Sequence, residues 1–182
     1  MKINEKVKRE IREWGESLII AFILAMIIRT FVVQAFKIPS GSMRPTFLEG
    51  DRILVSKFVY KFKEPQIGDI VVFKYPEDKK KDFVKRMIAK GGETLEIKEG
   101  DIFINGKLVQ SPQVVRDIYY YNRGDYSQMG QKITVPPDCY YVLGDNSGSS
   151  RDSRYWGFVP KKNLQGKAFF IYWPLNRIKV IK

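Results

Sequence analysis

The sequence has no histidine and only one cysteine, Cys139, in its 182 residues. The absence of histidine excludes a Ser-His-Asp triad, a Cys-His dyad and any zinc site that needs imidazole ligands. A single cysteine excludes an internal disulfide and a metal site made of several thiolates. Cys139 lies in the apolar run DCYYVL, so we interpret it as a small buried hydrophobic residue. A serine enzyme with this composition needs a base other than histidine.

Acidic residues are scarce relative to basic ones. The chain has 32 Lys and Arg against 20 Asp and Glu, a net charge of +12, which suits nucleic acid or an anionic membrane surface. The positive charges are scattered, and the dense cluster EDKKKD at 77–82 is typical of a solvated loop. We therefore expect no nucleic-acid partner. A nucleic-acid binder would instead show steep salt-dependent affinity for DNA.

Long apolar runs are confined to the amino-terminal part of the sequence. Residues 18–28 read LIIAFILAMII, and the stretch 17–36 carries one charge, Arg29. A helix of about 20 such residues spans a bilayer core of about 30 Å. The basic start and the triplet VQA at 33–35 are also typical of a cleavable secretory signal. Helical spacing of apolar residues among the charges of 1–16 favours an anchor with a cytoplasmic amino terminus.

The anchor interpretation predicts a single-pass protein of the cell membrane. Residues 17–36 would lie in the lipid bilayer, and the rest of the chain would lie on the extracytoplasmic face. The secretory-signal alternative exports the same residues but releases them. Whether 33–35 is ever cut stays open.

After residue 36 the pattern changes to short runs rich in β-branched and aromatic residues, most of them bounded by Gly, Pro or Asp. These runs predict strands at 52–60, 69–76, 82–89, 140–145, 167–174 and 177–181. Residues 94–109 predict consecutive hairpins, because Asn105-Gly106 is a preferred two-residue turn between alternating strands. Residues 160–166 allow one short helical turn. The pattern predicts a mainly β body.

Composition becomes richer in Tyr, Gln, Asn and charge between residues 93 and 136. We interpret 93–136 as a small inserted β domain. The flanking segments, 37–92 and 137–182, would then form one β core.

Residues 38–47, IPSGSMRPTF, place two serines beside one glycine, with prolines on both sides. Gly, Pro and Ser are common in turns, so an ordinary loop is one interpretation. The other is a nucleophile presented on a stiffened backbone. A serine nucleophile needs a group that takes its proton, and without histidine the candidates are lysine and the carboxylates.

A lysine acts as a base only when it is neutral, so its pKa must fall from about 10.4, and burial lowers it most strongly. Strand alternation in DFVKRMIA places Lys85 on one face with Phe83 and Met87. An amine that reaches water is the alternative, and Lys74 is a weaker candidate of the same kind. The polar stretch 144–157, GDNSGSSRDSRYWG, leaves one apolar strand and re-enters the core, so we expect partly buried side chains that hold their neighbours in place.

In this order, the anchor, IPSGSMRPT, the KR pair and GDNSGSSRDSRYWG resemble type I signal peptidases. These are membrane-bound serine proteases that remove signal peptides from exported proteins. The resemblance covers nearly the whole chain. It implies a signal-peptidase/LexA-like all-β catalytic core with a small inserted β domain, and no cofactor or metal. It also implies preproteins with Ala-x-Ala cleavage sites as substrates.

The resemblance also implies roles for individual residues. Ser42 would be the nucleophile and Lys85 its general base, and the Ser40 hydroxyl would join the Ser42 N–H in the oxyanion hole. The residues that would line the shallow pocket for the small side chain before the cut are Ile38, Pro39 and Val84. The residues that would orient or support the lysine are Ser150, Asp152, Arg154 and Asp145.

The sequence departs from the family pattern at Ser147 and Gly148, where many members have arginine and aspartate. Two alternatives stay open. A LexA-type self-cleaving repressor shares the β core but has a soluble amino-terminal part. A membrane-tethered β module that binds a partner would keep its activity without Ser42 and Lys85.

Overall fold

The computed structural model of the protein describes residues 5–27, 29 and 32–181. Its first element is a long helix, α1 (Glu5–Ile27), which confirms the predicted N-terminal helix. Apolar side chains in the second half of α1 lie on the surface, and Phe22 is 69% exposed. Within the described residues, no helix is both long and apolar enough to cross a membrane. Outside the described part lie residues 1–4, 28, 30, 31 and 182.

The carboxyl end of the predicted anchor is not helical. Strand β1 (Val33–Lys37) includes the last residues of the stretch 17–36. It pairs antiparallel with β2 (Arg52–Ser56), with Val33 opposite Ser56. The prediction of one apolar span through residue 36 is therefore wrong, because the backbone of these residues is hydrogen-bonded to a neighbouring strand.

In the described part of the chain, the body consists of two antiparallel sheets. Besides β1 and β2, the larger sheet contains β3 (Ile70–Lys74), β4 (Asp82–Lys90), β9 (Cys139–Leu143), β10 (Val159–Pro160), β11 (Leu164–Trp173) and β12 (Lys179–Val180). The strand order is β1-β2-β11-β3-β4-β9-β10, and β12 pairs with β11. Six predicted strand segments therefore correspond to strands of this sheet, with ends that differ by a few residues.

The smaller sheet consists of β5 (Thr94–Lys98), β6 (Asp101–Ile104), β7 (Lys107–Leu108) and β8 (Lys132–Thr134), in the order β7-β6-β5-β8. The predicted turn at Asn105-Gly106 joins β6 to β7, and both residues have positive φ angles, 52° and 76°. Two consecutive positive φ angles are what a tight two-residue hairpin requires. The mainly β fold is thus confirmed, whereas the division into a core and an inserted domain stays a prediction.

The helices of the body are short. They are α2 (Gln113–Arg116) and α3 (Ser153–Trp156), with 3₁₀ turns that include 41–43, 147–149 and 161–163. The last of these turns confirms the short helical turn predicted within 160–166.

Cys139, which its apolar sequence context predicts to be buried, is only partly buried in the structure. This partial burial raises the pKa of the thiol.

Strand β3 explains why the body has apolar layers on both faces of the large sheet. Its residues 70–73 are all buried between β11 and β4, which makes a continuous apolar run rather than an alternating one. Val72 packs in one cluster with Ile53 and Met43, whereas Val71 and Phe73 pack in a second cluster on the opposite face. Apolar clusters therefore cover both faces of the sheet at β3, and Met43, the residue after Ser42, belongs to the first cluster.

Gly166 in β11 lies close against the backbone of β2. A Cβ atom there would lie 2.2 Å from the Ser56 carbonyl oxygen. Because a backbone atom cannot give way cheaply, we expect Gly166→Ala to lower the free energy of unfolding by about 1–3 kcal/mol. Thermal unfolding measured by circular dichroism checks this. The control Gly148→Ala, whose nearest neighbour atom would be 3.7 Å away, should unfold within about 0.5 kcal/mol of wild type, and equal losses in both variants would contradict the prediction.

Candidate active site

Ser42 lies in a tight 3₁₀ turn, Gly41–Met43, that follows the extended residue Ser40. Met43 is buried with Ile38 in an apolar cluster, and its carbonyl accepts a hydrogen bond from the Phe47 N–H at 2.9 Å. Burial of the side chain of Met43, the residue after Ser42, holds the turn against the apolar core. Ser42 itself lines an open groove on the other side.

Lys85 of β4 faces Ser42 across this groove. Its Nζ donates a hydrogen bond to Ser42 Oγ at 2.6 Å, and the side chain lies over the Phe83 ring with Nζ 5.5 Å from the ring centroid. Lys85 is only 4% exposed, so the alternative of an amine that reaches water is wrong. Burial lowers the pKa of Lys85 to about 8, although the carboxylates of Asp152 and Asp145 act in the opposite direction.

The rival lysine is placed differently. Lys74 Nζ pairs with Asp82 Oδ1 at 2.7 Å, and the Lys74 side chain is 41% exposed. Lys85, by contrast, is buried and contacts Ser42 Oγ. The geometry therefore favours Lys85 over Lys74 as a base.

The groove beside Ser42 and Lys85 has a volume of about 690 Å³. It brings together the three residues expected to form the pocket for a small side chain, which are Ile38, Pro39 and Val84. Ser40 also lines it, next to the turn that carries Ser42. The groove is open, and residues of β1 and β4 line it. An open groove lined by strand residues suits an extended peptide.

Ser150 is buried beside the nucleophile turn. A Cβ atom at Gly144 would lie 2.1 Å from Ser150 Oγ and 2.5 Å from the Ser42 carbonyl, so glycine is what allows these groups to pack together. Among the described residues, Ser150 Oγ has no hydrogen-bond partner. The structure thus brings Ser150 to the site without the hydrogen bond to Lys85 that its expected role requires.

Asp152 and Arg154 form a fully buried pair. Arg154 Nε and Nη2 each donate to one carboxylate oxygen of Asp152 at 2.8 Å. Asp152 also accepts from the Gly144 N–H at 2.9 Å and caps α3 through the Arg154 N–H. A carboxylate with this many donors is rigid, so the pair fixes the stretch 144–154 against β9.

Asp145 was expected to support the lysine, but its direct partners are Arg86 and Thr46, whose hydroxyl donates to Asp145 Oδ2 at 2.5 Å. Arg86 Nε and Nη2 donate to the two Asp145 oxygens at 2.7 and 2.5 Å, and Arg86 Nη1 donates to the Gly68 carbonyl at 2.6 Å. Both side chains are buried, and loss of one partner of such a pair costs about 3–5 kcal/mol. Asp145 acts on Lys85 only at longer range, by raising its pKa.

Sequence reasoning missed Arg86 and Asn146. Alternation places Arg86 on the face of β4 opposite Lys85, so a buried arginine in need of a carboxylate was a usable signal. Asn146 lines the groove and bonds to the Ser42 turn, but its contacts depend on loop geometry that no local pattern reveals.

Residues 11–173 match the model of the family described as signal peptidase, peptidase S26. The chain belongs to this family. A probable signal peptidase I-2 of Synechocystis sp. is 39% identical over 175 residues, which cover 93% of this chain and 76% of that protein. Signal peptidase I T of Bacillus subtilis is 33% identical over 189 residues, which cover 100% of this chain and 95% of that protein.

A crystal structure of a signal peptidase I from Enterococcus faecalis aligns with 58% of this chain and 97% of that chain, at 32% identity and a TM-score of 0.45. The sequence resemblance to type I signal peptidases, which are serine endopeptidases, is confirmed by the family match and the two relatives. Membership in this family favours a peptidase over a LexA-type repressor or a tethered binding module.

Proposed function

We propose that this signal peptidase removes N-terminal signal peptides from exported preproteins through an acyl-enzyme formed on Ser42. The observation that carries the proposal is the 2.6 Å contact between Ser42 Oγ and the amine of a buried lysine, Lys85. A lysine with a pKa near 8 is neutral often enough at neutral to alkaline pH to act as a base.

The chemical steps use the residues of the groove alone. Neutral Lys85 takes the proton of Ser42 as Oγ attacks the carbonyl before the cut. The resulting oxyanion is held by the Ser42 N–H and the Ser40 hydroxyl, and loss of one such donor typically costs about 2.7–4 kcal/mol. The Lys85 ammonium then protonates the leaving amine, which departs as the new amino terminus. Water then attacks the Ser42 ester while neutral Lys85 takes one of its protons. The Lys85 ammonium returns this proton to Ser42 Oγ as the bond between Oγ and the acyl carbon breaks, and the signal peptide leaves as a carboxylic acid that ionises in water.

Ser150 is proposed to orient Lys85 during these steps. Its buried hydroxyl has no partner among the described residues, so a hydrogen bond to the amine would satisfy both groups. The Asp152–Arg154 pair supports this position, since Arg154 Nη2 also reaches the Ser150 carbonyl at 3.4 Å.

The walls of the groove support a preference for a small residue before the cut. Ile38 and Val84 are apolar, and Pro39 has no N–H and a fixed φ angle. Such apolar walls favour contact with the methyl group of an alanine and offer no side-chain hydrogen-bond partner to a polar residue. An Ala-x-Ala site fits this chemistry.

We further propose attachment to the cell membrane, with the amino terminus in the cytoplasm and the β body on the extracytoplasmic face. Support comes from the exposed apolar residues of α1, which include Leu18, Ile19, Ile20, Phe22, Ile23 and Leu24. Lysines and arginines precede them, as expected for a cytoplasmic end. The anchor, proposed within 17–36, ends before β1. Lipid contact by the apolar residues of α1 would hold the groove close to the membrane surface, where a membrane-bound signal peptide ends.

Cleavage of a purified preprotein with an Ala-x-Ala site, by the full chain in detergent, tests the function. We expect one cut after the second alanine, located by mass spectrometry, and no cut by Ser42→Ala. The control Ser111→Ala, at an exposed serine outside the groove, should cleave like wild type. Cleavage that survives in Ser42→Ala, or a cut at unrelated positions, would contradict the proposal.

A further inference from the structure

Asn146 bonds twice to the turn that carries Ser42. Its backbone N–H donates to the Ser42 carbonyl at 3.0 Å. Its side-chain Nδ2 donates to the Gly41 carbonyl, also at 3.0 Å. One residue therefore holds two consecutive carbonyls of the nucleophile turn, from a loop 105 positions away in the sequence.

The hydrogen bond from Asn146 to the Gly41 carbonyl also fixes the direction of the Ser42 N–H. The Gly41 carbonyl and the Ser42 N–H belong to the same planar peptide unit, and in a trans peptide they point in opposite directions. The Arg44 N–H also donates to the Gly41 oxygen, at 3.1 Å. Two donors that hold this oxygen on one side therefore aim the Ser42 N–H toward the other side. The Ser42 N–H is the backbone donor proposed for the oxyanion.

Asn146 is itself held rigidly from both sides. The preceding residue, Asp145, accepts two hydrogen bonds from buried Arg86. The following residue, Ser147, accepts from buried Arg154 through both its hydroxyl and its carbonyl, each at 2.9 Å. Because both neighbours of Asn146 are held by buried arginines, the Asn146 side chain keeps its direction before substrate binds. This is the condition for a preorganised site.

We propose that Asn146 is a positioning residue whose side-chain amide holds the Gly41–Ser42 peptide plane, so that the Ser42 N–H points at the developing oxyanion. The inference rests on the proposed function, because it requires Ser42 to be the nucleophile. Asn146 touches no reacting atom in this role. Its effect is exerted in the transition state, where the oxyanion forms, and not on binding of the substrate.

The test is the variant Asn146→Leu, which keeps the size of the side chain and removes the amide donor. We expect kcat for preprotein cleavage to fall about 10–100-fold, since misplacement of a catalytic group by about 1 Å costs up to about 100-fold. KM should change by less than about twofold. A peptide aldehyde, whose hemiacetal oxygen occupies the oxyanion position, should lose affinity by the same factor as kcat/KM. The control Asn176→Leu makes the same substitution at an exposed asparagine outside the groove and should match wild type.

Asn146→Ala serves as a second variant, and thermal unfolding of each shows whether the protein remains folded. A rise in KM with unchanged kcat, or unchanged aldehyde affinity, would overturn the inference. So would a shift in the pH at which the rate is half-maximal, because that shift would mean action through Lys85. Cleavage lost in Ser42→Ala but unchanged in Asn146→Leu overturns this inference alone. Cleavage retained in Ser42→Ala overturns the proposed function and the inference together.

Discussion

Replacement of Lys85 by arginine is expected to abolish turnover. The substitution keeps the positive charge and nearly the length of the side chain, but a guanidinium does not lose its proton in proteins. It therefore cannot take the proton of Ser42 Oγ, from which the lysine amine is 2.6 Å away. General-base catalysis typically contributes about 10²–10⁴-fold to rate, so single-turnover cleavage should fall by at least that factor.

A matched substitution separates this effect from a general intolerance of arginine. Lys74→Arg changes a lysine on the neighbouring strand, where the amine forms a partly exposed ion pair with Asp82. This variant should cleave at close to the wild-type rate. Lys85→Arg that remains folded and retains more than about a tenth of wild-type activity would remove Lys85 as the base.

The cleavage rate is expected to rise with pH and to level off above about pH 8. Burial lowers the pKa of Lys85 to about 8, so below that pH most of the protein carries the ammonium, which cannot accept a proton. Each unit of pH below the inflection lowers the neutral fraction, and hence kcat/KM, about tenfold. From the plateau above pH 8 down to pH 6 the expected loss is therefore about 100-fold.

Rates measured between pH 5.5 and 10 with two different preproteins check this profile. The inflection should fall at the same pH for both substrates, because it belongs to a group of the free enzyme. A flat profile would contradict the assignment of a lysine base. A rate that still rises about tenfold per pH unit up to pH 10, as the ordinary lysine pKa of 10.5 predicts, would show that burial does not lower the pKa of Lys85.

Local sequence patterns predicted those features that depend on neighbouring residues. The alternation of a strand was enough to place Lys85 beside Phe83, and the structure has this contact. The turn at Asn105-Gly106 followed from the need for two positive φ angles. Each prediction required only the geometry of one element.

Features that depend on distant partners could not be predicted in this way. Residues 33–36 read as the end of an apolar span, yet they form a strand because β2 lies beside them. The buried pair of Arg86 and Asp145 joins residues 59 positions apart, and the bond from Asn146 to Gly41 spans 105. Family resemblance indicated Ser42 and Lys85, but the distance between them follows only from the packing of β4 against the nucleophile turn.

The most direct test of the lysine base is chemical rescue of Lys85→Cys in a Cys139→Ala background. The cysteine side chain is too short to act and carries no amine, so this variant should not cleave preprotein. Alkylation with 2-bromoethylamine, verified by mass, restores a primary amine at nearly the original position, whereas iodoacetamide adds an amide without a basic nitrogen. We predict that the first reagent restores cleavage and the second does not. Full aminoethylation of a folded protein without recovery of cleavage, or cleavage before alkylation, would contradict Lys85 as the base that activates Ser42.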